Sequence, residues 1–167
     1  MRTKIAAVTV FFAAVIGASL AFLPAESSQV HSHAKFAVIL DGQVVDMSSR
    51  QFQLNSRKVH LESGKSHIVH KHSAGVTWSE FLGTLPVKVR HPDASDICVA
   101  VRRREVCGKG AVILNGEKAG NLSQVIEQGD TLVIAAGTEN YMSQARKFYE
   151  TPLPAAYRPF WLDGRMI

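Results

Sequence analysis

The feature that most constrains this chain is its start, because an apolar segment there leaves only the remainder to build a water-exposed domain. Two cations precede an uncharged apolar run from Ile5 to Leu23. About 20 apolar residues span a bilayer, whereas a secretory signal needs about 7–15. We therefore expect residues 1–23 to be a signal peptide or a transmembrane anchor, with cleavage left open. The cations before the run place the rest of the chain in the periplasm, at the cell exterior or, after cleavage, in the secreted fraction.

The charge balance bears on partners rather than on fold. The 167 residues include 19 Lys and Arg against 14 Asp and Glu, and the cations are scattered except at Arg102, Arg103 and Arg104. Export argues against nucleic acid as a partner. An anionic membrane surface or an acidic protein suits the arginine cluster, and so does the solvated tip of a hairpin. After the leading segment the chain has room for one domain of about 100–150 residues.

The only two cysteines of the chain, Cys98 and Cys107, agree with export. Folding the segment between them about Arg102–Arg103 sets the two cysteines opposite each other across a short hairpin, close enough for a bridge. An oxidising compartment would keep that bridge. Catalytic dithiols usually have two residues between them at a helix start, so the spacing favours a structural disulfide over a redox pair or a metal site.

Turn signals between short β-prone segments indicate a sheet. Asp41–Gly42 forms the turn of an opening hairpin from Lys35 to Val45, and Asn115–Gly116 and Gly129–Asp130 mark two later turns. The further predicted strands are Gln51–Leu61, His67–His72, Val87–Val89, Ile97–Val101, Glu105–Cys107, Ala111–Leu114 and Thr131–Ala135.

One helix is predicted among these strands. Thr77 and Glu80 have the spacing of a capping box, in which the two side chains satisfy free amides at a helix start. Apolar residues at Trp78, Phe81, Leu82 and Leu85 form a helical stripe, and the next residue is a proline that ends it. Strands, one short helix and further strands predict an α+β fold, with a mixed sheet packed on the helix.

This order of elements resembles the β-grasp, or ubiquitin-like, fold, in which a hairpin, a helix and further strands wrap one mixed sheet. The resemblance covers residues 35–137 and implies one β-grasp-like domain there, after a linker at residues 24–34. A short helix from Asn140 to Glu150 and a tail complete residues 138–167. The sulfur-carrier branch of this fold ends in a free Gly-Gly, whereas this chain continues to Ile167, so sulfur transfer is not expected.

Histidine is the compositional oddity of the chain. Six of the seven histidines lie between His31 and His72. Histidines two residues apart on a strand share a face, as His70 and His72 would, and imidazole is a common ligand of Zn²⁺ and Cu²⁺. The predicted ligands for copper or zinc are His31, His33, His60, His70 and His72.

The register of the histidine strands depends on one turn. If Ser63–Gly64 is a two-residue turn, His60 faces His67, and His70 and His72 lie on the opposite face.

A tight metal site also needs a third or fourth ligand, for which Glu62 and Asp41 are further candidates. Two alternatives stay open: the histidines are hydrogen-bonded residues that bind no metal, or they sense pH.

The histidine segments are also similar to a stretch in small, membrane-anchored, uncharacterised exported proteins of archaea and bacteria. Those proteins begin with His-x-His just past the anchor and contain a His-Lys-His-x-Ala-Gly-Val-Thr stretch. The resemblance implies a grouping and no particular activity. The matching positions are His31, His33, His60, His70, His72, Gly75 and Thr77.

The C-terminal tail from Thr151 to Leu162 is rich in proline and aromatic residues. Proline lowers the entropy lost on docking, and Tyr157, Phe160 and Trp161 can anchor the tail on a partner protein. The alternative, that the tail packs on its own domain, stays open.

The sequence carries no motif of nucleophilic, phosphate-loop or zinc-protease catalysis, so we expect a protein that is not an enzyme. The first hypothesis is a membrane-anchored or exported binding domain that takes up copper or zinc through its histidines. The second is an accessory subunit of a membrane complex, held by the anchor and the tail.

Overall fold

The computed structural model describes residues 29–91 and 96–158. These residues form a mixed α+β structure, one curled sheet with two short helices, which confirms the predicted class. The predicted signal peptide or anchor, residues 1–23, lies outside the described residues. Among the residues that are described, none of the helices is both long and apolar enough to span a membrane.

The described residues form nine strands and two α-helices. Helix α1 is Trp78–Gly83 and helix α2 is Tyr141–Glu150, with 3-10 turns at Arg50–Phe52 and Ala155–Tyr157. The strands are β1 Gln29–Leu40, β2 Gln43–Val44, β3 Val59–Leu61, β4 Ile68–Ser73, β5 Val87–Arg90, β6 Asp96–Val101, β7 Arg104–Leu114, β8 Glu117–Lys118 and β9 Thr131–Ala136.

The first and last strands of the sheet lie side by side at its centre. The order is β3-β4-β1-β9-β7-β6-β5, with β2 paired to β1 and β8 to β7. Strand β1 runs parallel to β9 from the pair Lys35 and Thr131 to the pair Leu40 and Ala136, and antiparallel to β4. The histidine strands β3, β4 and β1 therefore form one half of the sheet, and β7, β6 and β5 form the other half, beyond β9.

One face of the sheet builds the main core. Alternate residues of β1, including Phe36 and Val38, point to this side because strand side chains alternate with a period of two. They pack against Trp78 and Phe81 of helix α1, with the rings of Phe36 and Phe81 edge to face at 5.1 Å. The predicted capping box is confirmed: the Thr77 side chain accepts from the Glu80 amide, and Glu80 accepts from the Thr77 amide.

The opposite face of the sheet carries helix α2. Ile39, Val133 and Ala135 form a smaller buried cluster with Ala145 of that helix. Lys35 lies on the same face, and its ammonium group donates to backbone carbonyls at the end of α2. Because His33 keeps the parity of Lys35 and Ile39 along β1, it too lies on the α2 side, away from the main core.

The disulfide prediction is confirmed. Cys98 and Cys107 are bridged, and they stand opposite each other in the β6–β7 pair. The strands are joined at Arg102–Arg103, as the sequence indicated, with Arg102 in the left-handed region at φ 59°. A disulfide supports an oxidising, extracytoplasmic location for this domain.

Two segments are more regular than the sequence indicated. Residues 29–34, which the sequence assigned to the linker, form the first half of β1, because they pair with β4 from Gln29 to His33 across a bulge. Their polar side chains suggested a loop, yet Ser32 is buried. Residues 104–114, predicted as two strands, form the single long strand β7.

The predicted register of the histidine strands is wrong. His60 pairs with His70 and not with His67, so His60 and His70 share a face. The connection is longer than a two-residue turn. It runs from Glu62 to His67, with Ser63 and Gly64 both at positive φ and the Lys65 amide donating to the Glu62 carbonyl at 3.0 Å.

Candidate metal centre

Three adjacent strands bring the predicted ligands onto one surface. His33 of β1, His70 of β4 and His60 of β3 form a row across the sheet, since His33 and His60 are both register partners of His70. Directly opposed side chains have Cβ atoms about 4.5–5.5 Å apart. The neighbouring residues along each strand, such as Ala34, Leu61 and Val69, point to the opposite face and into the main core. We call the surface formed by His31, His33, His60, Glu62, His70 and His72 the histidine face.

The rings of the histidine face are close enough to share an ion. The His72 ring centroid is 4.9 Å from that of His31 and 4.9 Å from that of His60. The His33 ring is 4.7 Å from both His31 and His70, and His70 is 6.1 Å from both His31 and His60. All five histidines named from the sequence therefore converge.

Two groups of three ligand atoms come together on this face. One is His31, His70 and His72, and the other is His60, Glu62 and His72; within each group the ligand atoms lie within 4.8 Å of one another. Bonds of about 2.0–2.1 Å around tetrahedral zinc would put ligand atoms about 3.3 Å apart, so small side-chain rotations suffice to close either group. His72 belongs to both groups, whereas His33 belongs to neither.

His70 is the residue of the histidine face that most clearly favours a bound ligand. Its side chain is buried, with the residue 4 % exposed, yet neither ring nitrogen has a hydrogen-bond partner among the described residues. Glu62 Oε1 lies 3.2 Å from His70 Nδ1, but the two groups are not aligned for a hydrogen bond. Buried polar atoms are nearly always satisfied, because an unpaired one costs about 1–3 kcal/mol. A metal ion would give one of these nitrogens a partner.

His60 faces Glu62 through a ring nitrogen that calls for either a proton or a metal ion between them. Its Nδ1 lies 2.6 Å from the Ser56 carbonyl, which can only accept, so Nδ1 carries the hydrogen. Its Nε2 lies 3.1 Å from Glu62 Oε2. In a neutral ring that Nε2 is a lone pair facing a carboxylate, so either a proton or a metal ion must lie between them. The Ser56 carbonyl fixes the ring orientation in the way that backbone carbonyls orient metal-bound histidines.

Burial keeps several of these imidazoles neutral. It lowers the pKa of His70 to about 4; the Glu62 carboxylate opposes that shift, while His33 and His60 add to it. Burial is also the main cause that lowers the pKa of His33 and of His72, and the neighbouring histidines add to both shifts. A neutral imidazole has a lone pair for a metal, so these three side chains are ready to coordinate at neutral pH.

Glu62 remains a carboxylate in this setting. Burial acts to raise its pKa, but the hydrogen bond with His60 and the positive charge that His60, His70 and His72 carry when protonated outweigh burial, and the pKa is lowered overall. From the sequence Glu62 was only a further candidate, and the structure brings it into the histidine face. The other candidate, Asp41, lies elsewhere and pairs with Arg104 at 3.0 Å.

His67 is the one histidine of the cluster in sequence that lies apart in space. Its ring packs edge to face on Phe148 at 5.3 Å, and its Nδ1 lies 3.3 Å from the Phe36 carbonyl. Burial lowers its pKa, but it belongs to neither group of ligand atoms.

The sequence did not reveal two neighbours of the site. Tyr157, which the sequence suggested as a partner anchor, lies with its ring 5.1 Å from His33 and 5.7 Å from His70. Gln128 accepts from the His33 backbone amide at 2.8 Å. No motif marks either residue, because both reach the site from distant parts of the chain. Phe160 and Trp161 lie outside the described residues.

In comparisons with known proteins, no family model, curated protein or solved structure matches the chain.

Proposed function

We propose that this protein is an extracytoplasmic domain that binds one transition-metal ion, Cu²⁺ or Zn²⁺, on its histidine face. The observation that carries the proposal is His70, a buried imidazole whose two nitrogens lack a hydrogen-bond partner among the described residues, surrounded by four other imidazoles and a carboxylate. Because both ligand groups include His72, a single ion beside His72 reaches ligands from both.

The donor set supports copper or zinc. Imidazole nitrogen with one carboxylate suits Zn²⁺ and Cu²⁺, whereas Mg²⁺ and Ca²⁺ prefer oxygen alone. The chain has no free thiolate to act as a ligand, since Cys98 and Cys107 are bonded to each other. At equal availability a nitrogen-rich site binds Cu²⁺ more tightly than Zn²⁺. Four or more imidazoles can fill the coordination sphere and leave no open position for a substrate, which favours binding over catalysis.

The location and the fold family are part of the same proposal. The disulfide and the apolar run in residues 1–23 support a domain that faces the periplasm or cell exterior, tethered to the membrane if the run is retained. A β-grasp relationship is supported by the parallel pairing of β1 with the last strand, β9, and by helix α1 between β4 and β5.

Calorimetry on the full chain, purified in mild detergent without a histidine tag and stripped of metal by chelator, tests the proposal. We expect one Zn²⁺ or Cu²⁺ per chain, and nitrogen hyperfine structure in the electron paramagnetic resonance spectrum of the Cu²⁺ form. His91→Ala is the matched control, because His91 is an exposed histidine after β5, at the far edge of the sheet. Absence of stoichiometric uptake would refute the proposal.

The second candidate function, an accessory subunit of a membrane complex, has one supporting observation. Met142 and Tyr149 of helix α2 are exposed large apolar side chains, 41 % and 45 % accessible. They line an open cleft with Ile113 and Gly116, where a partner could dock. If Met142→Glu together with Tyr149→Glu leaves the migration of the native protein in mild-detergent extracts unchanged, this candidate fails.

A further inference from the structure

The segment after helix α2 lies against the histidine face. We call residues 151–158 the C-terminal clamp. Lys35 Nζ donates to the carbonyls of Phe148 and Tyr149, at 2.7 and 3.0 Å, and to that of Thr151, which fixes the exit of the chain from α2. Leu153 is buried. Arg158 Nε donates back to the Leu153 carbonyl at 2.5 Å, so the clamp closes on itself.

Gln128 joins the clamp to a predicted metal ligand. Its Oε1 accepts from the His33 amide at 2.8 Å, and its Nε2 donates to the Tyr157 carbonyl at 3.0 Å. The Tyr157 ring packs edge to face against His33 and His70. His33 therefore contacts the clamp directly through its ring and is linked to it through Gln128 from its backbone amide.

Neighbouring groups that hold the backbone and the ring of a histidine fix the direction in which its ring nitrogens point. Loss of such a supporting partner typically weakens metal binding by about 10–100-fold. His33 is 4.7 Å from His31 and His70 and so lies within reach of the ion that these residues would hold.

We propose that His33 is a ligand of the ion, that Gln128 and Tyr157 are positioning residues for it, and that metal uptake is coupled to docking of the C-terminal clamp. The inference rests on the proposed metal binding. Coupling between two sites is reciprocal: if the docked clamp strengthens metal binding by some factor, the metal strengthens docking by the same factor. The ion then controls whether the C-terminal clamp is docked or released.

Hydrogen exchange on the wild-type full chain tests the coupling without any substitution. The amides of Tyr157 and Arg158 bond to the carbonyls of Pro154 and Ala155 within the clamp, so they report its opening. We expect saturating Zn²⁺ to slow their exchange about tenfold. Unchanged exchange in a chain that has bound zinc would overturn the coupling and leave the metal site standing. Failure to bind zinc at all would overturn both.

Gln128→Leu tests the positioning role. We expect its zinc affinity to fall about tenfold, its clamp amides to exchange at the same rate with and without zinc, and its Cu²⁺ hyperfine pattern to change as His33 leaves the coordination sphere. Gln144→Leu is the control, because Gln144 on helix α2 donates to the Gly42 carbonyl, away from the histidines. Wild-type affinity and spectrum in Gln128→Leu would overturn the role of Gln128.

Discussion

Two cross-strand pairs in opposite halves of the sheet differ in whether their side chains already have bonding partners. Cys98 and Cys107 face each other across β6 and β7 and are joined by a disulfide bond. His60 and His70 face each other across β3 and β4, and His70 has no hydrogen-bond partner for either ring nitrogen among the residues described. The bridged pair constrains the chain and needs nothing more. The histidine pair includes a buried polar side chain without a hydrogen bond among the described residues, and such a side chain is where a binding function should be sought.

The pH dependence of stability should separate the two regions most strongly. The folded pKa of His70 is about 4, below its ordinary value of 6.5. Between these values the unfolded chain binds more protons than the folded one, so the free energy of unfolding falls as pH is lowered. The loss from His70 alone is on the order of 3 kcal/mol, and the lowered pKa of His33 and of His72 acts in the same direction.

Urea unfolding of the metal-free chain between pH 7 and pH 4 measures this loss. In the same window the disulfide does not titrate, so a cysteine-free variant should show the same slope. A stability that stays flat with pH would mean that His70 is solvated in the folded protein, which contradicts the burial on which the metal site depends.

Removing the disulfide should cost stability without affecting the metal. Cys98→Ser with Cys107→Ser opens a loop whose ends are separated by 9 positions, for which loop entropy predicts a loss of about 2.5–3 kcal/mol. The zinc affinity should stay within about twofold, because effects at separated sites that share no partners are additive. Urea unfolding and calorimetry of the same variant give both numbers, and a tenfold loss of affinity would show that the two halves of the sheet are coupled.

Removing a shared ligand should do the reverse. His72→Ala takes one donor from each ligand group, and we expect zinc affinity to fall by at least about 100-fold, or about 2.7 kcal/mol. The half-buried position of His72 predicts little change in the stability of the metal-free chain. Calorimetry measures the affinity, with His91→Ala as the reference. A small loss in His72→Ala would show that His72 is not a ligand shared by the two groups.

The same two regions show what the sequence could and could not predict. Cysteine opposition followed from a turn at Arg102–Arg103 because that turn has the expected length, so the register was right. The histidine register failed because the link between β3 and β4 extends from Glu62 to His67. Turn residues indicate where a chain reverses but not how many residues it uses, and one extra residue exchanges the faces of a strand.

The structure nevertheless brings the five predicted ligands together. His31, His33, His60, His70 and His72 all reach the histidine face, because the observed register pairs His60 with His70, whereas the predicted register would have put His60 on the other face of the sheet. Gln128 and Tyr157 could not be predicted, since their positions depend on how the loop before β9 and the chain after α2 pack. Contacts between residues so far apart in sequence leave no local pattern.

The smallest expected change in stability comes from replacing His70 by leucine, and it has an unexpected sign. His70→Leu replaces a buried ring, whose two nitrogens lack hydrogen bonds among the described residues, with an apolar side chain. Because an unsatisfied buried polar group costs about 1–3 kcal/mol, the metal-free variant should be about 1 kcal/mol more stable than the wild type at pH 7, while losing zinc binding. A residue that lowers stability and is compensated only by a ligand is typical of a functional site.

Urea unfolding at pH 7 and zinc calorimetry, both on the metal-free full chain, measure the two effects. If His70→Leu is instead destabilising, His70 is already satisfied in the metal-free protein, and the contrast with the closed cysteine pair disappears.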